Sequence, residues 1–146
     1  MSAKQYKTRL YLEVACAEES IATVEGDQHH YVKHVLRLNA GERVAVFNGH
    51  DGEWLAEIVA LGKREGSIRL IEQLREQPEE PDIWLIFAPI KHGRIDFLAQ
   101  KATELGVSKL LPVFTERTVV TRVNQARLRA NAIEAAEQSE RCSIPE

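Results

Sequence analysis

The chain has 146 residues, of which 44% are hydrophobic and 28% are charged, and its 19 basic and 22 acidic residues give a net charge of −3. This composition is typical of a globular protein and excludes a disordered chain, a collagen and a coiled-coil rod. The length fits one domain or two small ones. The net charge provides no bulk attraction to nucleic acid, so binding to a polyanion requires local basic patches.

Targeting signals are not evident in the sequence. The longest apolar run, residues 83–90, contains a proline and is far shorter than the roughly 20 residues of a membrane-spanning helix. The first nine residues are polar and basic and precede no apolar run, so we predict no secretory signal. Cys16 and Cys142 lie far apart without a CxxC pair, which predicts two reduced thiols and no zinc site. We therefore expect no membrane partner and a cytoplasmic location.

The first half of the chain has the pattern of a small β-structure. Alternating apolar and polar residues predict strands over residues 9–14, 43–47, 53–59 and 67–71. Turn-forming segments at 48–52 and 62–66 join neighbouring strands. One helix interrupts them, with Asp27 as its predicted N-cap and Gly41 just beyond its end. Residues 1–75 are therefore predicted to form a small, mostly antiparallel barrel.

The second half has a different pattern. Residues 76–82 contain two prolines and four acids and are the predicted linker. An apolar strand at 83–88, a helix at 94–105 and a strand at 109–114 then form a βαβ unit, which implies parallel pairing. A further helix covers about 125–140. Because parallel sheets normally contain more strands than these, residues 83–146 are predicted to be the first, incomplete part of an α/β domain.

One face of the first predicted helix is cationic. At 100° per residue it carries His30, Lys33, His34 and Arg37, and the opposite face carries Val32, Val35 and Leu36. Phosphate contact and a simple solvated polar face are both consistent with this pattern. The histidine pair has no HExxH motif and no third ligand, so we predict no metal site.

Lys91 and Arg94 lie between the first parallel strand and its helix, where open α/β sheets bind anions. The glycine pattern there is neither GxGxxG nor a Walker loop. Phe97 falls outside the apolar stripe of that helix, which indicates either a second contact surface or a singly exposed ring. The last helix has a face of small residues. This face is consistent with a solvated helix and equally with a tight interface to another backbone. No GxSxG, CxxC or paired-acid motif indicates hydrolytic or redox chemistry.

Several strings of residues, taken together and in order, resemble the 16S ribosomal RNA uracil-N3 methyltransferases, which form the RsmE family of the SPOUT (trefoil-knot) class. The resemblance extends over nearly the whole chain. The strings are Arg9-Leu10-Tyr11, His29-His30, Val35-Leu36-Arg37, Phe47-Asn48-Gly49, Lys91, the segment 100–107, Pro112, Glu116-Arg117-Thr118, the segment 134–139, Arg141 and Ile144-Pro145.

The resemblance implies a fold of α+β and α/β type: an N-terminal PUA-like RNA-binding β-barrel, then the first half of a SPOUT α/β domain. It implies a dimeric enzyme that uses S-adenosylmethionine to methylate a uridine at N3 in the small-subunit ribosomal RNA. The RNA-binding candidates are Arg9, His30, Lys33, Arg37, Lys91 and Arg94. The catalytic candidates are Gln138, Arg141 and Arg117, and either arginine could stabilise charge that develops on the uracil.

The sequence departs from the family in one respect. The glycine-rich donor-binding loop, with its GPEGG-like string, and the knot that follows have no counterpart here. We therefore expect no cofactor-binding residue in this chain, and we interpret it as a fragment that is inactive alone and whose full-length form dimerises. The alternative is a non-catalytic RNA-binding module. A nucleotide-binding protein of another class is supported only by the turn at 91–94.

Overall fold

A computed structural model describes residues 5–91 and 93–146 of the chain. The chain divides into two compact units between Pro78 and Glu79, a point inside the segment predicted as a linker. His92, part of the turn predicted at 91–94, lies outside the described residues. None of the described helices is long and apolar enough to cross a membrane.

The first unit is built on a five-stranded sheet. Its strands are β1 (Arg9–Tyr11), β2 (Ile21–Glu25), β3 (Arg43–Phe47), β4 (Glu53–Leu61) and β5 (Glu65–Arg75), in the order β1-β3-β4-β5-β2. Only the β1–β3 pair is parallel. Three register shifts between β4 and β5 curl the sheet, because bulges bend and twist a strand pair. The predicted mostly antiparallel β-unit is confirmed, although β2 was not predicted.

The core of the first unit is aliphatic and lies on one side of this curled sheet. Its fully buried members include Leu10, Val24, Val44, Ile58 and Ile68. Alternate residues of β2 show the reason, since Ala22 and Val24 are buried while their neighbours are exposed. This period of two is what a half-buried strand requires.

The helical segment of the first unit differs from its prediction. Helix α1 (Gly26–His30) begins one residue before Asp27, so the prediction of Asp27 as N-cap is wrong. It continues as a π-helical turn (Tyr31–Val35) and ends well before Gly41, because Arg37 adopts a left-handed backbone with φ of 55°. The wider turn changes the side-chain directions, and Val35, predicted to pack, is exposed.

The second unit contains the predicted βαβ arrangement. Strands β6 (Trp84–Phe87) and β7 (Lys109–Pro112) are parallel, and α2 (Arg94–Glu104) connects them. Helix α3 (Gln125–Ser139) follows, and the side chain of Asn124 caps it by accepting from the Arg127 N–H at 3.0 Å. The two helices cover one face of the sheet through a small core of Ile95, Ala99 and Leu128.

The final described residue continues this sheet. The Glu146 N–H donates to the Ser108 carbonyl at 3.0 Å, and the Leu110 N–H donates to the Glu146 carbonyl at 2.8 Å. This is the slanted pattern of a parallel pair, so Glu146 adds to the free side of β7.

Candidate functional site

The cationic face of the first unit is present but is differently organised from the prediction. His30 and His34 are exposed, with ring centroids 5.2 Å apart, and Arg37 is exposed beyond the π-helical turn. Lys33 is half-buried instead. Its ammonium group donates to the Gly62 carbonyl and, at 3.4 Å, to the Leu61 carbonyl in the turn between β4 and β5. Lys33 therefore joins the helix to that turn as well as contributing charge.

Arg9, a predicted RNA-binding residue, is buried. Its side chain is 3% exposed and pairs with Glu53, whose side chain is 7% exposed. The guanidinium also lies 4.5 Å from the centroid of the Phe47 ring. Arg75 contacts the second Glu53 oxygen at 3.2 Å. A guanidinium enclosed by a carboxylate and a ring stabilises the sheet, which favours a structural role for Arg9 over the predicted RNA contact.

Arg141, a predicted catalytic residue, is similarly enclosed in the second unit. Its side chain is 7% exposed and donates to the Thr103 carbonyl at 3.0 Å, the Val107 carbonyl at 2.8 Å and Glu80 at 2.8 Å. Ser143 Oγ donates to the same carboxylate at 2.5 Å. Burial alone raises the pKa of Glu80, but the hydrogen bonds and positive charge of Arg141, with the Ser143 hydroxyl, hold it below 4.5.

These contacts place Arg141 at the edge where the parallel strands begin. Thr103 and Val107 both precede β7, whereas open α/β sheets bind ligands where the strands end. Gln138 is exposed and donates weakly to Glu134 at 3.4 Å. It lies 13 residues after the first residue of α3 (138 − 125), about 20 Å along the helix axis. The structure therefore does not bring Gln138 or Arg141 together with Arg117 within the unit.

The carboxyl ends of β6 and β7 carry exposed cations. Lys91 and Arg94 follow β6, and Arg117 and Arg122 lie in the loop after β7. None of these four side chains forms a hydrogen bond or ion pair with another residue in the described part of the chain. Other cations of the unit are paired, as Lys101 is with Glu104 and Arg127 with Asp96. Unpaired cations are available to an anion without first breaking a salt bridge.

A narrow cleft of about 30 Å³ connects the two loops. Ile90 from the first loop and Val120, Arg122 and Val123 from the second line it together. Arg122 was not assigned a role from the sequence, although it lies in a stretch without acids from 117 to 133. The absence of acids in this stretch was the signal in the sequence, because it leaves Arg122 without an acidic neighbour along the chain.

An apolar hollow of the second unit lies beside β7. It has a volume of about 310 Å³, and its apolar lining is formed by Leu110, Pro112, Leu128, Ala132 and Pro145. Three polar side chains, Gln125, Arg129 and Glu146, also line it, and the Glu146 carboxylate pairs with Lys109 at 3.2 Å. Its wall therefore combines hydrocarbon with a few polar groups.

Comparison with known families gives two matches. Residues 24–71 match a family described as an RNA methyltransferase PUA domain, and residues 77–146 match an RNA methyltransferase domain. The PUA match lies within the first unit. The methyltransferase match lies in the second unit, except that it begins two residues before the boundary between the units.

Curated relatives and solved structures agree with these matches. The chain is 41% identical over 138 residues to ribosomal RNA small subunit methyltransferase E of Rickettsia conorii, covering 94% of this chain and 57% of that protein. It is 35% identical over 130 residues to the Synechocystis protein of that name, covering 87% and 42%. The crystal structure of ribosomal RNA small subunit methyltransferase E from Neisseria gonorrhoeae bound to S-adenosyl methionine superposes with a TM-score of 0.85 at 28% identity, covering 96% of this chain and 60% of that one. This chain therefore spans about half of its curated relatives.

Proposed function

This chain belongs to the ribosomal RNA small subunit methyltransferase E family, whose N-terminal part it resembles, and from that membership we propose that it acts in methylation of 16S ribosomal RNA. The specific proposal is transfer of a methyl group from S-adenosylmethionine to N3 of a uridine. The unpaired cations at the carboxyl ends of β6 and β7 are the observation that carries it. They lie where an α/β domain binds an anionic ligand.

The RNA contacts are proposed to come from exposed, unpaired side chains. In the first unit these are His30 and Arg37, and in the second they are Lys91, Arg94 and Arg117. Contacts to phosphate position an RNA without reading its sequence, and they need accessible cations. Arg9 is left out of this group because Glu53 and Phe47 occupy its guanidinium.

Methylation of uracil N3 requires stabilisation of the negative charge that develops on the base. N3 of uracil is a weak acid, so methylation requires loss of its proton and leaves charge on O2 and O4 until the bond forms. A cation beside those oxygens stabilises that charge, and the base must first leave its stack to reach it. We propose Arg117 as this cation, because it is exposed and unpaired, whereas all three nitrogens of the Arg141 guanidinium make hydrogen bonds to protein. No general base is assigned, and Gln138 has no assigned role.

The donor is not proposed to bind to residues of this chain. S-adenosylmethionine supplies the methyl group, and its ribose and amino acid parts need polar partners. The hollow beside β7 offers only Gln125, Arg129 and a Glu146 carboxylate that is paired with Lys109. The glycine-rich loop that the resemblance assigns to the donor has no counterpart in this chain, so the donor site is proposed to lie in the part of the relatives that this chain does not match.

The proposed setting follows from the substrate. A protein that modifies ribosomal RNA works in the cytoplasm, where ribosomes assemble. A homodimer is proposed for the whole protein, supported by Phe97 on α2 and Leu105 just after its last residue, which are 60% and 81% exposed.

The test combines RNA binding with methyl transfer. Filter binding should show that the 146-residue chain binds a 16S ribosomal RNA transcript more tightly than a 23S transcript of equal length. Next, residues 1–146 are joined to the part of the Rickettsia conorii relative that they do not match. Mass spectrometry of digested RNA should then detect N3-methyluridine, and Arg117→Ala should lower kcat without raising KM for the donor. A folded chain that binds neither transcript would refute the proposal.

A further inference from the structure

We propose that the turn between β4 and β5 is part of the RNA-contacting surface, and that Lys63 and Arg64 at its tip contact phosphates. This inference rests on the proposed function and adds a second element to the cationic face of α1 and the π-helical turn. No sequence pattern connected the two, since Lys63 lies 30 residues after Lys33 in the chain (63 − 33).

The turn is attached to the helical segment by hydrogen bonds. The carbonyl oxygen of Gly62 accepts from Lys33 Nζ and also lies 3.2 Å from Nε2 of the buried His29. The Gly62 N–H donates to the Glu65 carbonyl at 2.8 Å, which closes the turn itself. Two side chains from the helical segment thus converge on one carbonyl. The turn is held in one position beside the exposed His30 and His34.

The base of the turn is closely packed around Gly66. A Cβ added at Gly66 would lie 2.6 Å from Leu61 and 3.0 Å from the Ala60 carbonyl, and 3.7 Å from the His29 ring. The two strands therefore close tightly on each other at Gly66, and the His29 ring of the helical segment lies in van der Waals contact with this position. A preorganised loop loses less conformational entropy when it binds a ligand than a mobile one does.

The tip of the turn carries two positive charges. Lys63 and Arg64 are exposed, and neither side chain has an ion-pair or hydrogen-bond partner among residues 5–91 and 93–146. Glu65 directly follows the tip and is opposite Glu25 in the β2–β5 register, and neither carboxylate forms an ion pair with the tip among the described residues. Two cations without a partner in the described part of the chain, on a turn held beside a cationic helix, match the sign of charge that an RNA backbone requires. Lys33 then acts as a positioning residue.

The experiment measures RNA affinity of the whole chain against salt concentration. The probe is the 16S ribosomal RNA transcript, and the variant is Lys63→Ala/Arg64→Ala. Losing two phosphate contacts should weaken binding about tenfold or more at low salt and should reduce the slope of log K against log salt by about 1.4 to 1.8. Glu65→Gln removes a neighbouring negative charge and should tighten binding.

The matched control is Lys7→Ala/Arg43→Ala, which also removes two positive charges from exposed positions. Lys7 lies just before β1 and Arg43 lies in β3, whereas helix α1 contacts β2 and β5. Circular dichroism and urea midpoints check that each variant folds. If the turn variant changes affinity and slope no more than the control does, the inference is wrong while the proposed function stands. If the unaltered chain does not bind the transcript, the proposed function fails first.

Discussion

Arg9 and Arg141 show how one residue type takes different roles according to what surrounds it. Each occurs in a string that resembles the family, and each is enclosed by a carboxylate from a distant part of the chain. Removing one partner of a buried ion pair leaves an unsolvated charge, which is far more destabilising than the loss of an exposed cation. Lys91 and Arg117, by contrast, are exposed and have no such partner among residues 5–91 and 93–146.

Arg9→Ala should lower the free energy of unfolding of the first unit by about 2–4 kcal/mol, because the buried Glu53 then keeps only its contact with the partly exposed Arg75. Arg43→Ala, at an exposed position, should change it by about 0.5 kcal/mol or less. Urea unfolding followed by tryptophan fluorescence measures both, since Trp54 lies in β4. Unchanged stability together with weaker RNA binding in Arg9→Ala would restore Arg9 as an RNA contact.

The ion pair of Glu80 should make the second unit sensitive to acid. Its folded-state pKa lies below the ordinary value of 4.5, so the unfolded chain takes up the proton first as the pH falls. The stabilisation is complete above pH 4.5 and is lost as the pH falls through the lowered pKa. Glu80→Gln should cost about 1–3 kcal/mol at pH 7 and progressively less toward pH 3. The difference in unfolding free energy between Glu80→Gln and the unaltered chain is measured across this pH range. The control is Glu116→Gln, because Glu116 is exposed and has no partner among the described residues. Its effect on the unfolding free energy should stay small and should not change with pH in this way.

At the scale of elements, the turn between β3 and β4 holds the end of β5. The Asn48 side chain donates to the Val14 carbonyl at 2.8 Å and accepts from the Asp51 N–H at 2.8 Å. The Gly52 N–H donates to Gln77 at 3.1 Å, and Gly52 has a φ of 79°. A Cβ there would lie 2.2 Å from the Arg75 carbonyl. This glycine therefore permits both the backbone angle and the close approach.

Gly52→Ala should destabilise the first unit more than Gly41→Ala does. Both glycines have positive φ, at 79° and 89°, but nothing lies within 4 Å of an added Cβ at Gly41. Gly41→Ala should therefore cost only the left-handed backbone term of about 1–2 kcal/mol. Gly52→Ala adds about 1–3 kcal/mol of steric overlap with β5. Equal urea midpoints of the two variants would mean that the end of β5 moves away from the new methyl group without a loss of stability.

At the scale of the whole molecule, the two units are unequally stabilised. Among the described residues, the main cluster of the first unit has 13 buried members, while the corresponding cluster of the second has three. The two-stranded sheet leaves Trp84 and Ile86 54% and 62% exposed on the face that the helices do not cover. A parallel sheet is normally covered on both faces, so this one has less burial to hold it.

Amide hydrogen exchange should therefore be slower in the first unit. We expect protection in β3 to β5 to exceed that in β6 and β7 by about tenfold or more, which corresponds to about 1.4 kcal/mol. The comparison uses Val44 and Ile58 against Ile86 and Leu110, at a protein concentration where sedimentation shows a monomer. Equal protection at that concentration would contradict the argument from burial.

The amino-acid sequence by itself determined the local pattern and the family. The alternation of β3 and β4, the βαβ order around α2, and the position of Lys91, Arg94 and Arg117 after parallel strands follow from periodicity and order along the chain. These features depend on neighbours within a few residues, which a sequence displays directly.

Only the tertiary structure decided which cations are available. Arg9 meets Glu53 across 44 residues and Arg141 meets Glu80 across 61, so neither pairing appears in any local pattern. Lys33 reaches Gly62 across 29 residues and connects the helix to the turn that carries Lys63 and Arg64. The physical reason is that a side chain's charge is local, whereas its burial and its partner depend on which distant segments fold against it.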